Sequence, residues 1–306
     1  MTTAKFDIYE HVSAEIVRLM ETEGTNWTKP WRLTAHQNVA SRKPYNGVNV
    51  ALTFASAHRK GYTSALWGTY KQWAERGYQV QKGEKATPIT FWKMFERDTG
   101  KVNGKGEAIV DRIPTLRYFS VFNADQVRDA SGNTYNVPAD PRGNGMTEAA
   151  RIAAADAVIA ATGAKIIHAA GDRAFYSPAT DQITIPPLGA FTSRAGYYST
   201  ALHELAHWTG HASRLDRLKL APFGSPEYAF EELIAESAAA FLAADLGVET
   251  APAPDHAKYL NGWIARLRED KRAIFRAFSA ARKAAAFINP KPEAEAEAEE
   301  PTAVAA

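Results

Sequence analysis

Apolar residues at helical spacing open the chain and predict its first helix. Ile8, Val12, Ile16 and Leu19 fall on one face, and Asp7 precedes them at the position of a capping residue. Further along, short apolar and aromatic runs lie between Gly and Pro residues, which is typical of mixed helices and strands. These runs predict helices over 48–59 and 69–76 and strands over 87–93 and 116–122. This part of the chain is therefore expected to form a compact α+β unit.

A stretch dense in Gly, Pro, Asn and Asp, residues 129–146, separates this pattern from a second one. Its lack of periodicity indicates a linker. The second pattern begins with an Ala-rich helix that Thr147 can cap. It predicts helices over 147–163, 197–209 and 227–246, a helical pair within 255–288, and strands over 165–168 and 181–185.

This punctuation predicts two domains that fold independently. Their expected bounds are 1–130 and 147–289, with the linker at 131–146. After Pro290 the chain repeats Glu, Ala and Pro, so residues 290–306 are predicted to be a disordered acidic tail. The strand at 181–185 is expected to be an edge strand that can pair with an extended peptide.

Composition narrows the chemistry that this chain can perform. The sequence has no cysteine, which excludes disulfides, thiolate metal sites, iron–sulfur clusters and cysteine nucleophiles. Any metal must therefore be held by His and carboxylate groups. No run approaches the ~20 apolar residues of a membrane span, and the N-terminus is charged throughout. We expect a soluble cytoplasmic protein without a membrane partner.

Positive charge and tryptophan are concentrated in the same part of the chain. Residues 1–130 hold 19 Lys and Arg against 13 Asp and Glu, together with five of the seven Trp. Residues 131–292 are nearly balanced, and the tail is acidic. Basic groups interleaved with aromatic rings are typical of surfaces that bind a polyanion with exposed bases.

The string HELAHWTGH at 203–211 is the strongest chemical signal in the sequence. His203 and His207 are one turn apart on a helix, so their imidazoles can converge on one ion, and Glu204 lies beside them to act on water. The neighbouring residues are apolar, which indicates a buried segment. A buried carboxylate between two buried imidazoles is costly unless a cation compensates it.

A third ligand has two conceivable sources. A glycine, Gly210, follows the motif at the spacing of HExxHxxGxxH proteins, but Ser213 occupies the position where those proteins have a third His. The other source is a later helix that presents Glu232 and Glu236 on one face at i, i+4. Three protein ligands leave a position for water, which is typical of a catalytic site with Glu204 as general base. His/His/carboxylate suits Zn²⁺ best, with Mn²⁺ as the alternative.

The arrangement resembles the gluzincin metallopeptidases, in which a ligating Glu and an acidic residue four positions on follow HExxH. The resemblance implies that Glu232 is the metal ligand and that Glu236 hydrogen-bonds a ligating histidine, where it orients the ring. The reverse assignment of Glu232 and Glu236 stays open.

The whole chain resembles ArdC-type antirestriction proteins. The resemblance rests on WTKPWR (27–32), RKPYNGVNVALT (42–53), LWGTYKQW (66–73) and VQKGEKATPITFWK (80–93), and on FYSPATDQITIPP (175–187) and the HExxH and Glu232 segments. It implies an α+β fold of two domains. The first is an N-terminal single-stranded-DNA-binding domain shared with TraC-type conjugative primases, and the second a mainly helical, gluzincin-like domain. It also implies a plasmid or other mobile element whose incoming DNA is protected from host restriction, with a restriction component as a conceivable peptide target.

Residues that would contact single-stranded DNA are taken from these N-terminal strings. Aromatic stacking is predicted for Trp27, Trp31, Tyr45, Trp67, Trp73 and Trp92, and phosphate contact for Lys29, Arg32, Arg42, Lys43, Lys71, Lys82, Lys85 and Lys93. Each ring also fits a core position and each cation a solvated surface. Two other functions remain open: a DNA-binding protein whose metal is structural, and a metalloprotease whose N-terminal domain recognises proteins.

Overall fold

The computed structural model describes residues 7–23, 36–102, 104, 106, 108–136, 147–219, 221–222, 224–248 and 256–290. The predicted tail beyond Pro290 and most of the predicted linker, residues 137–146, lie outside this part. Within it, no helix is both long and apolar enough to cross a membrane.

In its described residues, the N-terminal part has three α-helices, a four-stranded sheet and a two-stranded sheet. Helix α1 spans Ile8–Glu23, α2 spans Val48–Lys60 and α3 spans Tyr70–Ala74. The strands are β1 (Gln37–Asn38), β2 (Leu66–Gly68), β3 (Tyr78–Val80), β4 (Thr87–Val102), β5 (Ala108–Asn123) and β6 (Val127–Asp129). One sheet has the order β1-β2-β5-β4, and β3 pairs with β6 in the other. The predicted cap of α1 is present, because Asp7 accepts the N–H of Tyr9. Thr69, which was not predicted as a cap, accepts the N–H of Gln72 at the start of α3.

Strands β4 and β5 form a hairpin much longer than the two predicted strands. Each is 16 residues long, and they pair antiparallel from Thr87 opposite Val121 to Val102 opposite Ala108. The outer half contains Gly, Pro and alternating charges, which read as a loop in sequence. Paired against each other, these residues complete a ladder that is stabilised by cross-strand contacts such as Arg97 with Asp111 at 2.9 Å.

The C-terminal part is mainly helical, as predicted. Its elements are α4 (Glu148–Ala161), β7 (Lys165–His168), β8 (Phe175–Ser177), β9 (Gln182–Ile185), α5 (Arg194–Thr209), α6 (Pro226–Leu246), α7 (His256–Glu269) and α8 (Ala273–Ile288). The sheet order is β7-β9-β8. The strand at 181–185 is therefore central, and its prediction as an edge strand was wrong. It pairs with β7 on one side and with β8 on the other, and its side chains Ile183 and Ile185 are fully buried.

Helix α1 packs in the core of the C-terminal helices. Its predicted apolar face is buried in the cluster that α5 to α8 also form, and the hydroxyl of Ser13 donates to the carbonyl of Leu267 at 2.9 Å. At the rim, Asp7 pairs with Lys271. Helices α1 and α2 of the N-terminal part thus share a hydrophobic core with the C-terminal helices, which the expectation of independent folding did not include.

The first residues of the predicted linker also belong to the fold. The side chain of Asp129 accepts the backbone N–H groups of Ser131 and Asn133, and this turn leads to Tyr135. The Tyr135 ring lies 5.0 Å from that of Trp73. Glycine and Asn in this segment form a tight turn here, so their composition does not by itself mark a domain boundary.

Candidate metal centre

Two packed helices place the HExxH residues and the later glutamates side by side. The side chain of Ser193 caps α5 by accepting the N–H of Gly196, and that of Ser225 caps α6 by accepting the N–H of Tyr228. The apolar residues of both helices are buried against each other and against α8. This packing turns the polar positions of α5 toward those of α6.

The donor atoms of His203, His207 and Glu232 meet in one cluster. The two Nε2 atoms are 3.0 Å apart, and each lies 3.5 Å from a different carboxylate oxygen of Glu232. All three donors lie within 4.8 Å of one another, so these residues could hold a metal ion. Ligands bound tetrahedrally at ~2.0–2.1 Å are about 3.3 Å apart, and the observed separations bracket that value. The donor set therefore fits a divalent ion.

A carboxylate stands behind each histidine. Glu236 lies 3.2 Å from Nδ1 of His203, the place that the gluzincin resemblance implies. Glu231 lies 3.2 Å from Nδ1 of His207, and Arg217 donates to both oxygens of Glu231 at 2.8 Å. Such partners fix the tautomer and the orientation of a ligating imidazole. Nδ1 of each imidazole thus faces a carboxylate, and both Nε2 atoms face Glu232.

Glu231 and Arg217 were missed by the sequence analysis. Glu231 looks like a solvated acid beside Glu232, and Arg217 lies in a turn after α5 with no recognisable motif. Arg217 also donates to the carbonyl of Ala206 at 2.7 Å, so it links the turn, α5 and α6. Only the fold brings these three segments together.

The carboxylates dominate the electrostatics of the cluster. Burial lowers the pKa of His207, but Glu231 and Glu232 outweigh it and raise the value to about 9. For His203, Glu236 and Glu232 likewise outweigh burial, and its pKa is raised. Burial raises the pKa of Glu232, but the two histidines reverse this and hold it below the usual range. The carboxylates thus favour positive charge in the cluster. A divalent cation supplies this charge without protonation of the histidines.

Glu204 lies beside the cluster in a buried position. Burial raises the pKa of its carboxyl, and His203, His207 and a hydrogen bond from the backbone N–H of Tyr176 offset this only in part. Tyr176 belongs to β8, an outer strand of the small sheet. A raised pKa brings a carboxyl closer to the range where it can both accept and return a proton.

The turn after α5 contains Ser213, which occupies the position of the third His in HExxHxxGxxH proteins. His211 contacts the hydroxyl of Ser213 at 2.8 Å in an exposed turn. A Cβ atom on Gly210 would lie 2.7 Å from the side chain of Leu218, so the glycine is required by close packing. Arg214, next in the turn, lies over the Trp208 ring at 4.0 Å.

The predicted DNA-contacting residues of the N-terminal part separate into several groups. Trp67 and Trp73 are fully buried, so their prediction as stacking faces was wrong. The indole of Trp67 donates to His36 at 3.2 Å and that of Trp73 to the carbonyl of Phe122 at 3.0 Å. Tyr45 packs on the same core as Trp67, and its hydroxyl is buried. Large rings close this small core, which is the reason why they are unavailable to a ligand.

The described lysines among the predicted contacts are all exposed, and Arg42 is half-buried. The exposed lysines are Lys43, Lys71, Lys82, Lys85 and Lys93. Lys85 also lines a cleft of about 400 Å³ together with Arg59 and Lys60. Trp27, Lys29, Trp31 and Arg32 lie outside the described residues, as does the side chain of Trp92.

The fold and the donor set define the C-terminal part as a zincin-like metallopeptidase domain, and the model of that family matches residues 153–281. The model of the N-terminal domain of anti-restriction factor ArdC matches residues 6–122. The chain belongs to the ArdC antirestriction family. Its two-domain α+β fold is thereby confirmed.

Similar proteins span nearly the whole chain. Crystal structures of the antirestriction ArdC protein from plasmid R388 are 39% identical in the metal-free form, with a TM-score of 0.72, and 38% in the Mn(II)-bound form, with 0.71. Each covers 92% of this chain and 97% of the other. Protein y4eC of Sinorhizobium fredii is 37% identical over 92% of both chains. The Escherichia coli DNA primase TraC is 38% identical over 91% of this chain, which spans 20% of that primase.

Proposed function

We propose that this protein is an antirestriction factor of a mobile element that binds single-stranded DNA and carries a metal-dependent peptidase site. The observation that carries the proposal is the convergence of His203, His207 and Glu232, with Glu204 beside them, in a chain of the ArdC family. Protection of incoming DNA from host restriction is the role that the family name indicates. Action inside the recipient cell follows from this role.

The chemistry divides between an ion and the protein. A divalent ion, Zn²⁺ or Mn²⁺, held by His203, His207 and Glu232 would supply Lewis-acid polarisation of a peptide carbonyl. Glu204 accepts a proton from the attacking water and returns it to the leaving amine. Glu231 and Glu236 hold the two imidazoles in place, and Arg217 neutralises Glu231.

Single-stranded DNA is proposed as the ligand of the N-terminal part. Its support is the excess of basic residues there, the exposed lysines and the cleft lined by Arg59, Lys60 and Lys85. Binding through phosphates predicts that log K falls with log salt at a slope of about −0.7 per contact. Equal affinity for duplex and single strand would exclude stacking on unpaired bases.

Transfer of unmodified DNA into a restricting recipient tests the whole proposal. We expect wild type to raise the yield of transferred DNA and Glu204→Gln to lose this protection, because the variant keeps the shape of the site but has no base. Glu227→Gln, on the exposed start of α6, is the matched control. Full protection by Glu204→Gln at wild-type expression would favour the alternative in which the metal only stabilises the fold.

A further inference from the structure

The outer part of the β4–β5 hairpin carries a face on which aromatic and basic residues alternate. In the paired strands, Phe91 lies opposite Arg117, Lys93 opposite Thr115 and Phe95 opposite Ile113. Directly opposite residues and every second residue share one face of a hairpin. The residues Phe91, Lys93, Phe95, Arg117 and Phe119 therefore share one face, which we call the arm face.

The rings on the arm face are ordered by contacts with one another and with the cations. Phe91 and Phe119 stack in parallel, with centroids 4.4 Å apart and 7° between their planes. Lys93 Nζ lies over the Phe95 ring at 5.3 Å, and the guanidinium of Arg117 lies over the same ring at 5.1 Å. The two cations are thus held at the surface beside the rings.

Both faces of this part of the hairpin carry side chains that reach solvent, while Leu116, on the face opposite the arm face, packs against the core. Lys93 and Arg117 are exposed on the arm face, and Met94 and Tyr118 are about half exposed on the opposite face. The three phenylalanines are half-buried, so part of each ring remains accessible. Cross-strand pairing accounts for the contact between Phe91 and Phe119, because such pairs stabilise hairpins.

Hairpin pairing does not account for the charge of this face. By the same alternation, Arg97 and Asp111 lie on the side of the arm face; among the described side chains there, Lys93, Arg97 and Arg117 are accompanied by one carboxylate, that of Asp111, which is bonded to Arg97. A surplus of positive charge beside accessible rings complements a ligand that offers both phosphates and flat, unpaired bases. Duplex DNA offers the phosphates alone, since its bases are stacked inside.

We propose that the arm face binds single-stranded DNA, with unpaired bases stacked on Phe91, Phe95 and Phe119 and the phosphates contacted by Lys93 and Arg117. The inference rests on the proposed single-stranded-DNA binding and gives it a location. From Phe91 to Phe95 the strand advances about 13 Å at ~3.3 Å per residue, which separates two stacking positions.

The test uses the full-length chain and a fluorescently labelled oligodeoxythymidine of about 20 nucleotides. This is longer than the ~4–16 nucleotides that a single OB fold covers in other single-strand-binding proteins. Phe95→Leu keeps an apolar side chain but removes the ring, and we expect about tenfold weaker binding in fluorescence anisotropy. Tyr118→Leu removes an exposed ring from the opposite face, and its affinity should equal that of wild type. Melting temperatures establish that both variants fold.

A second variant tests the cations without altering the rings. Lys93→Gln combined with Arg117→Gln should reduce the salt slope by about 1.4, which corresponds to two phosphate contacts. Suppose that wild type binds, that Phe95→Leu binds with the same affinity, and that the double variant has the same salt slope. This result would overturn the assignment of DNA binding to the arm face but would leave single-stranded-DNA binding itself intact. Absence of binding by wild type itself would instead overturn the proposed function and this inference with it.

Discussion

The metal cluster and the arm face differ in how their geometry arises. The histidines of the cluster are four residues apart on one helix, and helical periodicity alone places them on the same side. The arm face joins residues of two strands, and Phe91 meets Phe119 only through the register of the hairpin. A site encoded within one helix is readable from sequence, whereas a site encoded by strand pairing requires the register.

The two sites also differ in burial. Glu204, Glu232 and Glu236 are buried, and the cluster histidines lower the pKa of Glu232. On the arm face, the cations are exposed to water. We therefore expect removal of one side chain to cause a large loss of metal affinity in the cluster, and removal of one side chain from the arm face to cause a partial loss of DNA affinity. Variants of either site test whether the two sites are also independent.

The largest effect is expected for His203→Ala. Removal of one of three ligands should weaken metal binding by more than about 100-fold, because partners outside the ligand set already cost ~10–100-fold. Calorimetric titration of the metal-free protein with Zn²⁺ or Mn²⁺ measures this, and Glu204→Gln should retain the affinity. If both variants bind DNA as tightly as wild type, the two sites are independent. A loss of DNA affinity would show that they are coupled.

The metal affinities of two glutamate variants test which glutamate is the metal ligand. Glu232 faces the Nε2 atoms and Glu236 an Nδ1 atom, so Glu232→Ala should lose more metal affinity than Glu236→Ala in the same titration. The opposite ranking would exchange their roles as ligand and supporting acid.

A smaller loss is expected for Glu231→Gln. The amide keeps the size of the side chain but loses the charge that pairs with Arg217 and His207, and metal affinity should fall by about 10–100-fold. Glu227→Gln, one turn earlier in α6 and exposed, is the control. Equal affinity in both variants would show that Glu231 has no role in holding His207.

The shared core predicts a loss of stability of both parts together. Val12 in α1 is fully buried, and Val12→Ala should lower the free energy of unfolding by about 2 kcal/mol. Denaturant unfolding followed by near-ultraviolet circular dichroism should show one transition at lower midpoint, while Glu10→Ala on the exposed face leaves it in place. If Val12→Ala left the unfolding transition of the C-terminal part unchanged, the prediction of independent domains would stand instead.

The smallest expected effect concerns acid stability of the N-terminal core. Burial lowers the pKa of His36 to about 4, and its Nδ1 accepts the indole N–H of Trp67. Because the folded pKa lies below that of the unfolded chain, stability is full above ~6.5 and falls as the pH decreases toward 4. At about pH 5.5 the loss is about 1 kcal/mol relative to neutral pH.

His36→Gln, whose amide can still accept from Trp67, should remove this part of the pH dependence. Unfolding free energies measured at several pH values give the two slopes. Identical slopes for wild type and variant would show that His36 keeps an ordinary pKa.

Local periodicity and capping determined most of the helices. The predicted starts at Asp7 and Thr147 are present, and the segments 197–209 and 227–246 lie within the observed α5 and α6. These features depend on residues within a few positions of one another, so the chain encodes them without reference to the rest of the fold. The HExxH pair belongs to the same class.

Contacts between distant segments were decided only by the tertiary structure. The sequence left Trp67 and Trp73 open as stacking faces or core residues, and folding placed them in a small core. It also did not indicate Arg217 as the partner of Glu231. Nor did a Gly- and Pro-rich segment reveal that α1 completes the C-terminal core. The physical reason is that burial and pairing depend on which surfaces meet after folding, and composition along the chain does not specify that.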